Sequence, residues 1–438
     1  MIAATIGFVT VLVLSLLRVP IAVSMGVVGV LGYARETSMT ASVSMSARLI
    51  VDASQDYGLT VIPLFILMGL FVNKGGMADE LYAAAYAFLG HLRGGLAMAT
   101  IVACGGFSAL SGSSMATAAT MSRVAMPQMR RFGYRDSLST GAVAAGGTLG
   151  ILIPPSVILI IYGLMTETSI GRLFLAGVIP GLIGILLYIC AVAFVVWRDP
   201  ASGPAGDRSG AAERLGALRG IWAILLLFVL VIGGMYGMLD IWPLNLTFAP
   251  SEAAGIGATG ALAISLLRGQ MTLRDIREAL TEAASTTASL FMILIGAWIF
   301  SNFVNVAGLP TGLQALIAEW GTSPFIVIGI IVAIYLVLGC VFESLSMMLL
   351  TVPVFFPVVV GLGFDPVWFG IVVVVVVEIS MITPPIGLNV FILKRVVDNV
   401  STATIFRGVT PFWMVDLIRL AILLGIPAAS LWLPSLLF

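Results

Sequence analysis

The feature that most constrains this chain is a pair of Pro-Pro dipeptides, Pro154-Pro155 and Pro384-Pro385, placed 230 residues apart in apolar sequence. Proline removes a backbone hydrogen-bond donor, and unpaired backbone groups at membrane depth are tolerated only where they line a cavity or site. Two such breaks at matching places indicate an internally repeated transporter whose binding site lies at the breaks. The same interval relates three further pairs: Ser114 and Ser344, Pro127 and Pro357, and Gly133 and Gly363.

Composition places these repeats in a membrane. Of the 438 residues, 60% are hydrophobic and 10% are charged, whereas a soluble domain carries roughly 25% charged residues. The 21 basic and 21 acidic residues cancel, which argues against nucleic acid as a partner. The first ten residues lack the basic region of a signal peptide, so we expect the first apolar run to stay. The sequence therefore predicts an all-α polytopic membrane protein.

Hydropathy predicts ten full spans and two apolar helix pairs. The pairs, 94–126 and 325–360, have turns rich in serine, glycine and glutamate, which are too polar to face lipid. We therefore predict two re-entrant helical hairpins. Segments 77–91 and 310–320 are short and amphipathic, which is typical of interfacial helices. The predicted full spans are 2–17, 19–33, 58–72, 137–165, 171–196, 221–238, 252–267, 283–304, 366–394 and 411–433.

Basic residues orient these spans. With both termini periplasmic, 17 basic residues fall on the cytoplasmic side and three fall outside, the asymmetry expected of cytoplasmic loops. The first hairpin then enters from the cytoplasm and the second from the outside. Five full spans separate the starts of the two repeats, and an odd number inverts one repeat relative to the other. Inverted repeats with broken helices are typical of secondary transporters.

We divide the chain into five segments on this basis. Repeat 1 (58–198) and repeat 2 (283–410) each contain an arm helix, a hairpin and a Pro-Pro-broken helix. Residues 1–57 supply N-terminal scaffold helices, and 199–282 supply a cytoplasmic linker followed by further scaffold helices. Residues 411–438 form a C-terminal helix.

Long motifs in both halves carry a family resemblance. The first half contains Gly105-Gly106-Phe107-Ser108, Ser111-Gly112-Ser113-Ser114-Met115-Ala116-Thr117 and Gly150-Ile151-Leu152-Ile153-Pro154-Pro155-Ser156. The second contains Glu378-Ile379-Ser380-Met381-Ile382-Thr383-Pro384-Pro385-Ile386-Gly387-Leu388-Asn389. Together, from about Val19 to Leu433, the chain resembles the large membrane subunit (M subunit) of bacterial TRAP transporters, the tripartite ATP-independent periplasmic carriers of the ion transporter superfamily. The resemblance implies an inverted-repeat, elevator-type symporter of sodium and a small organic anion.

The resemblance also implies partners and a coupling ion. A soluble periplasmic binding protein would deliver a carboxylate such as a C4-dicarboxylate or sugar acid. A small four-helix membrane subunit would accompany this chain, and we expect it on a separate chain. Sodium would bind at two sites, without an organic cofactor, in the bacterial inner membrane. The chain departs from the family at Ser380, where glycine is more common.

Hairpin tips and broken helices offer the oxygen ligands that sodium prefers. A helix broken at Pro-Pro presents unpaired carbonyls, and a tip adds hydroxyls and further carbonyls. The resemblance implies one sodium site at Gly339, Ser380, Thr383 and Ile386. Repeat symmetry places the other at Ser111, Ser113, Ser114, Gly150, Ile153 and Ser156.

No lysine or arginine lies at either tip or break. An anionic substrate would therefore be held by half-helix N-termini, hydroxyls and amides, helped by bound sodium. We name Ser113, Ser344, Glu343 and Asn389 as candidate substrate contacts. Asn389 fits an interhelical hydrogen bond equally well.

Acidic residues inside the membrane need an account because isolated charge is costly there. Glu343 and Glu378 fit an ion-site neighbour, a substrate gate or a proton-sensitive group. They fit equally a carboxylate pinned by backbone amides and hydroxyls. Asp416 and Arg419 are three residues apart, which predicts a structural pair on one helix.

Other functions fit the sequence less well. A stand-alone sodium/dicarboxylate or citrate symporter of the same superfamily would share the repeats and lack the partner proteins. An intramembrane hydrolase using Ser113 or Ser114 would need a nearby base, and the sole histidine, His91, lies outside the hairpins. A passive channel fits poorly with closed tips at midplane. We predict a transporter and no enzyme. Its substrate stays open among sialic acid, C4-dicarboxylates, other sugar acids, keto acids and compatible solutes.

Overall fold

The computed structural model describes residues 1–238, 240 and 247–438, and these residues form helices joined by turns, without a strand. The N-terminal helices are α1 (Ile2–Leu16), α2 (Ile21–Glu36), α3 (Met39–Gln55), α4 (Val61–Lys74) and α5 (Met77–Leu89). The predicted interfacial segment 77–91 is thus helical in α5. The sequence did not predict α3. Its buried face is formed by Ser42, Ser46 and Ala53, so it carries no apolar stripe for hydropathy to detect.

The first hairpin consists of α6 (Gly95–Ser111) and α7 (Ser114–Arg131). Gly112 joins them with a φ of 59°, a left-handed conformation that glycine adopts without steric cost. A broken helix follows as α8 (Asp136–Thr148) and α9 (Val157–Thr166), with Pro154-Pro155 in the gap. The long α10 (Ile170–Arg198) closes this half. The helix pair and the break lie where the sequence predicts them.

Among the described residues, the middle of the chain contains helices α11 to α15. A bend of 46° separates α11 (Ala211–Gly220) from α12 (Trp222–Phe228) and the π turn Val229–Gly233 that continues it. The predicted span 221–238 begins at this bend, and its helix continues to residue 235. Residues 239 and 241–246, which follow the predicted span, lie outside the described residues. The later helices are α13 (Pro250–Leu267), α14 (Leu273–Val306) and α15 (Leu309–Glu319), the last matching the predicted segment 310–320.

The second half repeats the order of the first. A helix pair, α16 (Pro324–Gly339) and α17 (Ser344–Gly361), precedes a broken helix made of α18 (Pro366–Ser380) and α19 (Leu388–Val396). The final helices are α20 (Thr402–Gly425) and α21 (Ala428–Leu437). The predicted span 411–433 is wrong in its bounds. Its helix begins at Thr402 and ends before Pro427, because a residue preceding proline is disfavoured in the α conformation.

Several of the ten predicted spans are not continuous membrane-crossing helices in the described residues. In the described residues, five helices are long and apolar enough to cross a membrane, or six if the bent α11–α12 pair is one span. The Pro-Pro breaks divide 137–165 and 366–394 into two helices each. The terminal α1 and α2 have 15 and 16 residues, below the roughly 20 residues of an upright span. The protein is therefore a multi-pass membrane chain with several short or interrupted helices.

Small residues let these helices approach closely. A Cβ atom on Gly408 in α20 would overlap the Ser137 carbonyl oxygen in α8, and one on Gly141 would overlap Gly408. In the same way, a Cβ on Gly29 in α2 would lie 2.8 Å from the Phe300 nitrogen in α14. Close backbone contact of this kind holds membrane helices together without a hydrophobic driving force. The α8–α20 contact holds the first broken helix in place.

Candidate functional site

The first hairpin tip is fixed by its own hydroxyls. Ser113 caps α7 by accepting a hydrogen bond from the Ala116 N–H over 3.4 Å. Ser111 Oγ and Thr117 Oγ1 share a hydrogen bond of 2.9 Å across the turn. These two bonds hold the turn between α6 and α7 in one conformation.

This tip packs against the first break. A Cβ on Gly150 would lie 3.1 Å from the Ser113 carbonyl oxygen, and one on Gly112 would lie 3.2 Å from the Pro155 carbonyl oxygen. Ser156 Oγ donates to the Ile151 carbonyl over 2.5 Å, which closes the break. Backbone oxygens of both elements therefore meet where the sequence placed the first ion site.

Two members of the predicted first set lie to the side of this contact. The Ile153 side chain packs against α10, where a Cβ on Gly181 would lie 2.8 Å from Ile153 Cγ1. The Ser114 hydroxyl accepts a hydrogen bond from Asn389. Ile153 could thus offer only backbone atoms to an ion, and Ser114 has a partner already.

The second tip and the second break are equally close. A Cβ on Gly339 would overlap the Ser380 side chain, and Ser380 Oγ donates to the Val377 carbonyl over 2.6 Å. Thr383 Oγ1 donates to the Ile379 carbonyl over 2.6 Å and accepts from Trp413 Nε1 over 2.9 Å. An ion there could use the remaining lone pair of the Thr383 hydroxyl or the backbone carbonyls of the break. Ile386 is half-buried in the same break.

A cavity of about 200 Å³ lies between the two tips. The described residues that line it include no lysine or arginine, and two of them, Glu282 and Glu343, are carboxylates. A more open hollow continues from it past Glu282 and Thr286. The tips contribute five polar residues to the cavity lining: Ser111, Ser113, Ser114, Glu343 and Ser344.

The cavity separates the predicted substrate contacts from most predicted ion ligands. Ser113, Glu343 and Ser344 line it, whereas Asn389 lies behind Ser114 and makes the interhelical hydrogen bond. The two breaks contribute only Ile151 and Met381 to its lining, and none of the predicted ion ligands in the breaks is among the lining residues. Of the residues predicted for the first ion site, only the tip serines Ser111, Ser113 and Ser114 also line the cavity.

Sequence reasoning missed the contribution of α14 to this cavity. Glu282, Thr286 and Leu290 line it on successive turns. The signal was present as a run of hydroxyl and carboxyl side chains over 281–289, which is unusual inside a span. Because hydropathy placed the start of the span at 283, Glu282 fell outside it, and the polar run was not recognised as part of a site.

The Glu378 carboxylate is held by an arginine. Arg419 Nη2 donates to Glu378 Oε2 over 2.5 Å and lies 2.9 Å from Asp416 Oδ1, with all three side chains fully buried. The predicted pair of Asp416 and Arg419 is confirmed. The interpretation of Glu378 as pinned by backbone amides and hydroxyls is wrong, since its partner lies 41 residues away. No local pattern could indicate that pairing.

The fold and the cavity together define a polytopic helical membrane transporter. Among solved structures, the crystal structure of the Alcanivorax borkumensis YdaH transporter superimposes with a TM-score of 0.61. The match covers 88% of each chain at 15% sequence identity, so it bears on the fold alone.

Sequence comparisons give the family. Residues 8–429 match the family described as the tripartite ATP-independent periplasmic transporter, DctM component. The chain is 38% identical over 397 residues to the C4-dicarboxylate TRAP transporter large permease protein DctM of Pseudomonas aeruginosa, covering 90% of each. It is 32% identical to the sialic acid TRAP transporter large permease protein SiaM of Vibrio cholerae, again covering 90% of each. It is 31% identical to the ectoine/5-hydroxyectoine TRAP transporter large permease protein UehC of Ruegeria pomeroyi, covering 99% of this chain and 97% of that protein.

The chain therefore belongs to the DctM family of TRAP transporter large permeases, and the resemblance seen in its motifs is confirmed. The family and these relatives are permeases, so the chain serves solute transport and the hydrolase interpretation is set aside.

Proposed function

We propose that this chain is the sodium-driven membrane permease of a tripartite carrier that takes up a small organic anion. The observation that carries the proposal is the cavity between the tips, lined by Ser113 on one side and Ser344 on the other. Each tip packs against its own Pro-Pro break, at Gly150 and at Ser380 respectively. A solute in the cavity would therefore lie between two candidate ion sites.

Backbone geometry supports sodium as the coupling ion. Sodium is a hard cation and prefers oxygen ligands, which carbonyls at helix breaks supply. The proposed second site uses Gly339, Ser380, Thr383 and Ile386. The proposed first site uses the tip serines Ser111, Ser113 and Ser114 with Gly150, Ile153 and Ser156.

The electrostatics of the cavity favour an anionic group bound by helix N-termini. The first residues of α7 and α17 line the cavity, and helix N-termini carry a partial positive charge. Sodium bound beside each tip would offset the carboxylates Glu282 and Glu343. Relatives named for C4-dicarboxylates and sialic acid support a carboxylate as the transported group.

The repeated order of helix pair and broken helix supports an elevator mechanism. In this proposal the two repeats (58–198 and 283–410) are inverted, and their hairpins and broken helices move together past the remaining helices. The family description, tripartite and periplasmic, supports a binding protein and a small four-helix membrane subunit as partners. It also supports the bacterial inner membrane as the location, and the distribution of basic residues supports two periplasmic termini.

Reconstituted uptake tests the proposal. Proteoliposomes would hold this chain with its small subunit, and the cognate binding protein would be loaded with labelled succinate or sialic acid. We expect uptake that follows an inward sodium gradient and stops when potassium replaces sodium. Uptake that proceeds equally without sodium refutes the coupling, and uptake without the binding protein favours the stand-alone symporter.

A matched pair of serine variants tests the cavity. Ser344 lines it, whereas Ser346, buried two residues later in α17, does not. We expect Ser344→Ala to raise the KM for the solute about fivefold, since one lost hydrogen bond is worth about 1 kcal/mol. Ser346→Ala should leave the KM within about twofold of the wild-type value, because Ser346 does not line the cavity. Equal effects from the two variants would remove the cavity from the transport path.

A further inference from the structure

Five buried side chains connect the two broken helices through the interior. We call Thr148, Tyr188, Asp416, Arg419 and Glu378 the buried relay. Tyr188 Oη lies 3.2 Å from Thr148 Oγ1 and donates to Asp416 Oδ2 over 2.6 Å. Arg419 then joins Asp416 to Glu378. Each member is at most 1% exposed. We propose that the buried relay couples the two ion sites, so that sodium bound at one raises the affinity for sodium at the other.

The ends of the buried relay adjoin the two breaks. Thr148 ends α8, directly before the 3₁₀ turn Leu149–Ile151 that contains Gly150. Glu378 lies in the last turn of α18, two residues before Ser380, where the helix ends at the second break. The inference rests on the proposed sodium sites, because these are the segments that an ion would order.

Arg419 touches the surroundings of both breaks. It pairs with Glu378 on one side, and on the other a Cβ on Gly184 would overlap Arg419 Nη1. The same Cβ position lies 3.1 Å from Leu149 Cδ2, in the first break. The absence of a side chain at Gly184 thus gives the guanidinium room between the two halves. A shift of either break would meet this side chain.

Charge forces the members to move together. Two carboxylates and one guanidinium are buried away from water, and separating a buried ion pair leaves an uncompensated charge. A displacement of Glu378 therefore draws Arg419 with it, and Arg419 draws Asp416. The pairing transmits position because it is too costly to break.

The buried relay also has an alternative arrangement available. Thr148 Oγ1 donates to the Ala145 carbonyl over 2.7 Å, and its single proton can instead face Tyr188. Glu378 Oε1, Arg419 Nε and Arg419 Nη1 have no hydrogen-bond partner among the described residues. These unused donors and acceptors let Arg419 and Glu378 change which atoms they share without separating the ion pair. Two sites that bias one such element are coupled reciprocally.

Tyr188→Phe tests the coupling with little change in packing. The ring stays against Phe412, whose centroid is 5.5 Å away, while the hydroxyl link between Thr148 and Asp416 is lost. In the reconstituted complex we expect the Hill coefficient for sodium to fall from about 2 in the wild type to about 1. Uptake at saturating sodium should stay within about twofold. Equilibrium sodium titration of the purified complex should show the same loss of cooperativity.

Tyr162→Phe is the matched control. Tyr162 is also buried and donates to the Pro366 carbonyl over 2.7 Å, outside the buried relay. The Hill coefficient for sodium of the Tyr162→Phe variant should equal that of the wild type. Thr148→Val provides a second, shape-conserving interruption should Tyr188→Phe fold poorly, and it should lower the Hill coefficient in the same way.

The outcomes separate this inference from the proposed function. A wild type that transports without sodium refutes the proposed function itself. A sodium-dependent wild type with a Hill coefficient of about 1 leaves that function standing and overturns the coupling. The coupling is also overturned if folded Tyr188→Phe or Thr148→Val keeps the cooperativity of the wild type.

Discussion

Asn389 in α19 donates a hydrogen bond of 2.8 Å to the Ser114 hydroxyl in the first hairpin tip, across 275 residues of chain. The same amide donates to the Ala144 carbonyl over 3.1 Å. Asn389 is fully buried, so these bonds have no water to replace them. The helix after the second break thereby holds the first tip from behind the cavity.

Replacing Asn389 with leucine should loosen this tip. Asn389→Leu removes the donor to the buried Ser114 hydroxyl and a second donor to the Ala144 carbonyl. A typical lost hydrogen bond costs about 1 kcal/mol, so we expect a loss of about 1–2 kcal/mol. We expect a lower melting temperature and a higher KM for the solute, measured by thermal unfolding and uptake. Asn302→Leu is the control, because within the described part of the chain the Asn302 side chain bonds only to the Trp298 carbonyl of its own helix. Similar losses in both variants would contradict a special role for Asn389.

Gly339→Ala should impair transport through a clash with Ser380. The added Cβ would overlap the Ser380 side chain, and overpacking of this kind costs about 1–3 kcal/mol. We expect weaker sodium activation of uptake. The double variant Gly339→Ala/Ser380→Gly removes the obstructing side chain and should recover most of the activity. Failure of that rescue would show that the defect does not arise from this contact.

Alanine variants of two left-handed glycines distinguish the effect of backbone strain from that of contact between the first tip and the first break. Gly112 and Gly133 have φ values of 59° and 76°, so alanine costs about 1–2 kcal/mol at either position. A Cβ on Gly112 would also lie 3.2 Å from the Pro155 carbonyl, whereas one on Gly133 meets nothing within 4 Å. We expect both variants to lower the melting temperature, and Gly112→Ala alone to weaken sodium activation. Equal sodium responses would argue against an ion site between tip and break.

Gly408→Ala should destabilise the α8–α20 contact. Its Cβ would overlap the Ser137 carbonyl oxygen, which would force the two helices apart. We expect a lower melting temperature for the purified complex in detergent. Gly425 ends the same helix, and a Cβ added there would meet no described residue within 4 Å. Gly425→Ala should therefore leave the melting temperature unchanged. A stable Gly408→Ala variant would show that this close contact is dispensable.

Sequence reasoning located the elements that break a regular pattern. The Pro-Pro dipeptides and the glycine and serine turns carry their structural meaning locally, so both helix pairs and both breaks were predicted. It also named Ser113, Glu343 and Ser344, which line the cavity. The inverted orientation of the repeats and the division into five segments stay predictions.

The features that the sequence did not predict depend on contacts between distant residues, on polar packing or on a single proline. Glu378 finds Arg419 through the packing of α18 on α20, which no spacing announces. The α3 helix buries serines, with Ser42 donating to the Val30 carbonyl over 2.7 Å, so hydropathy overlooked it. The span 411–433 ignored Pro427 because a hydropathy average does not register a single proline.

The length of α14 has a consequence for following a solute through the protein. Its 34 residues rise about 51 Å at 1.5 Å per residue, well beyond the roughly 30 Å of a bilayer core. Thr286 and Leu290 border the cavity between the tips, and Arg274 and Arg277 border the open hollow beyond it. The tips and breaks contribute short, interrupted segments to the cavity, whereas α14 is one continuous helix along both the cavity and the hollow. Single reporter groups on successive turns of α14 would therefore record the depth of a passing solute as distance along one axis.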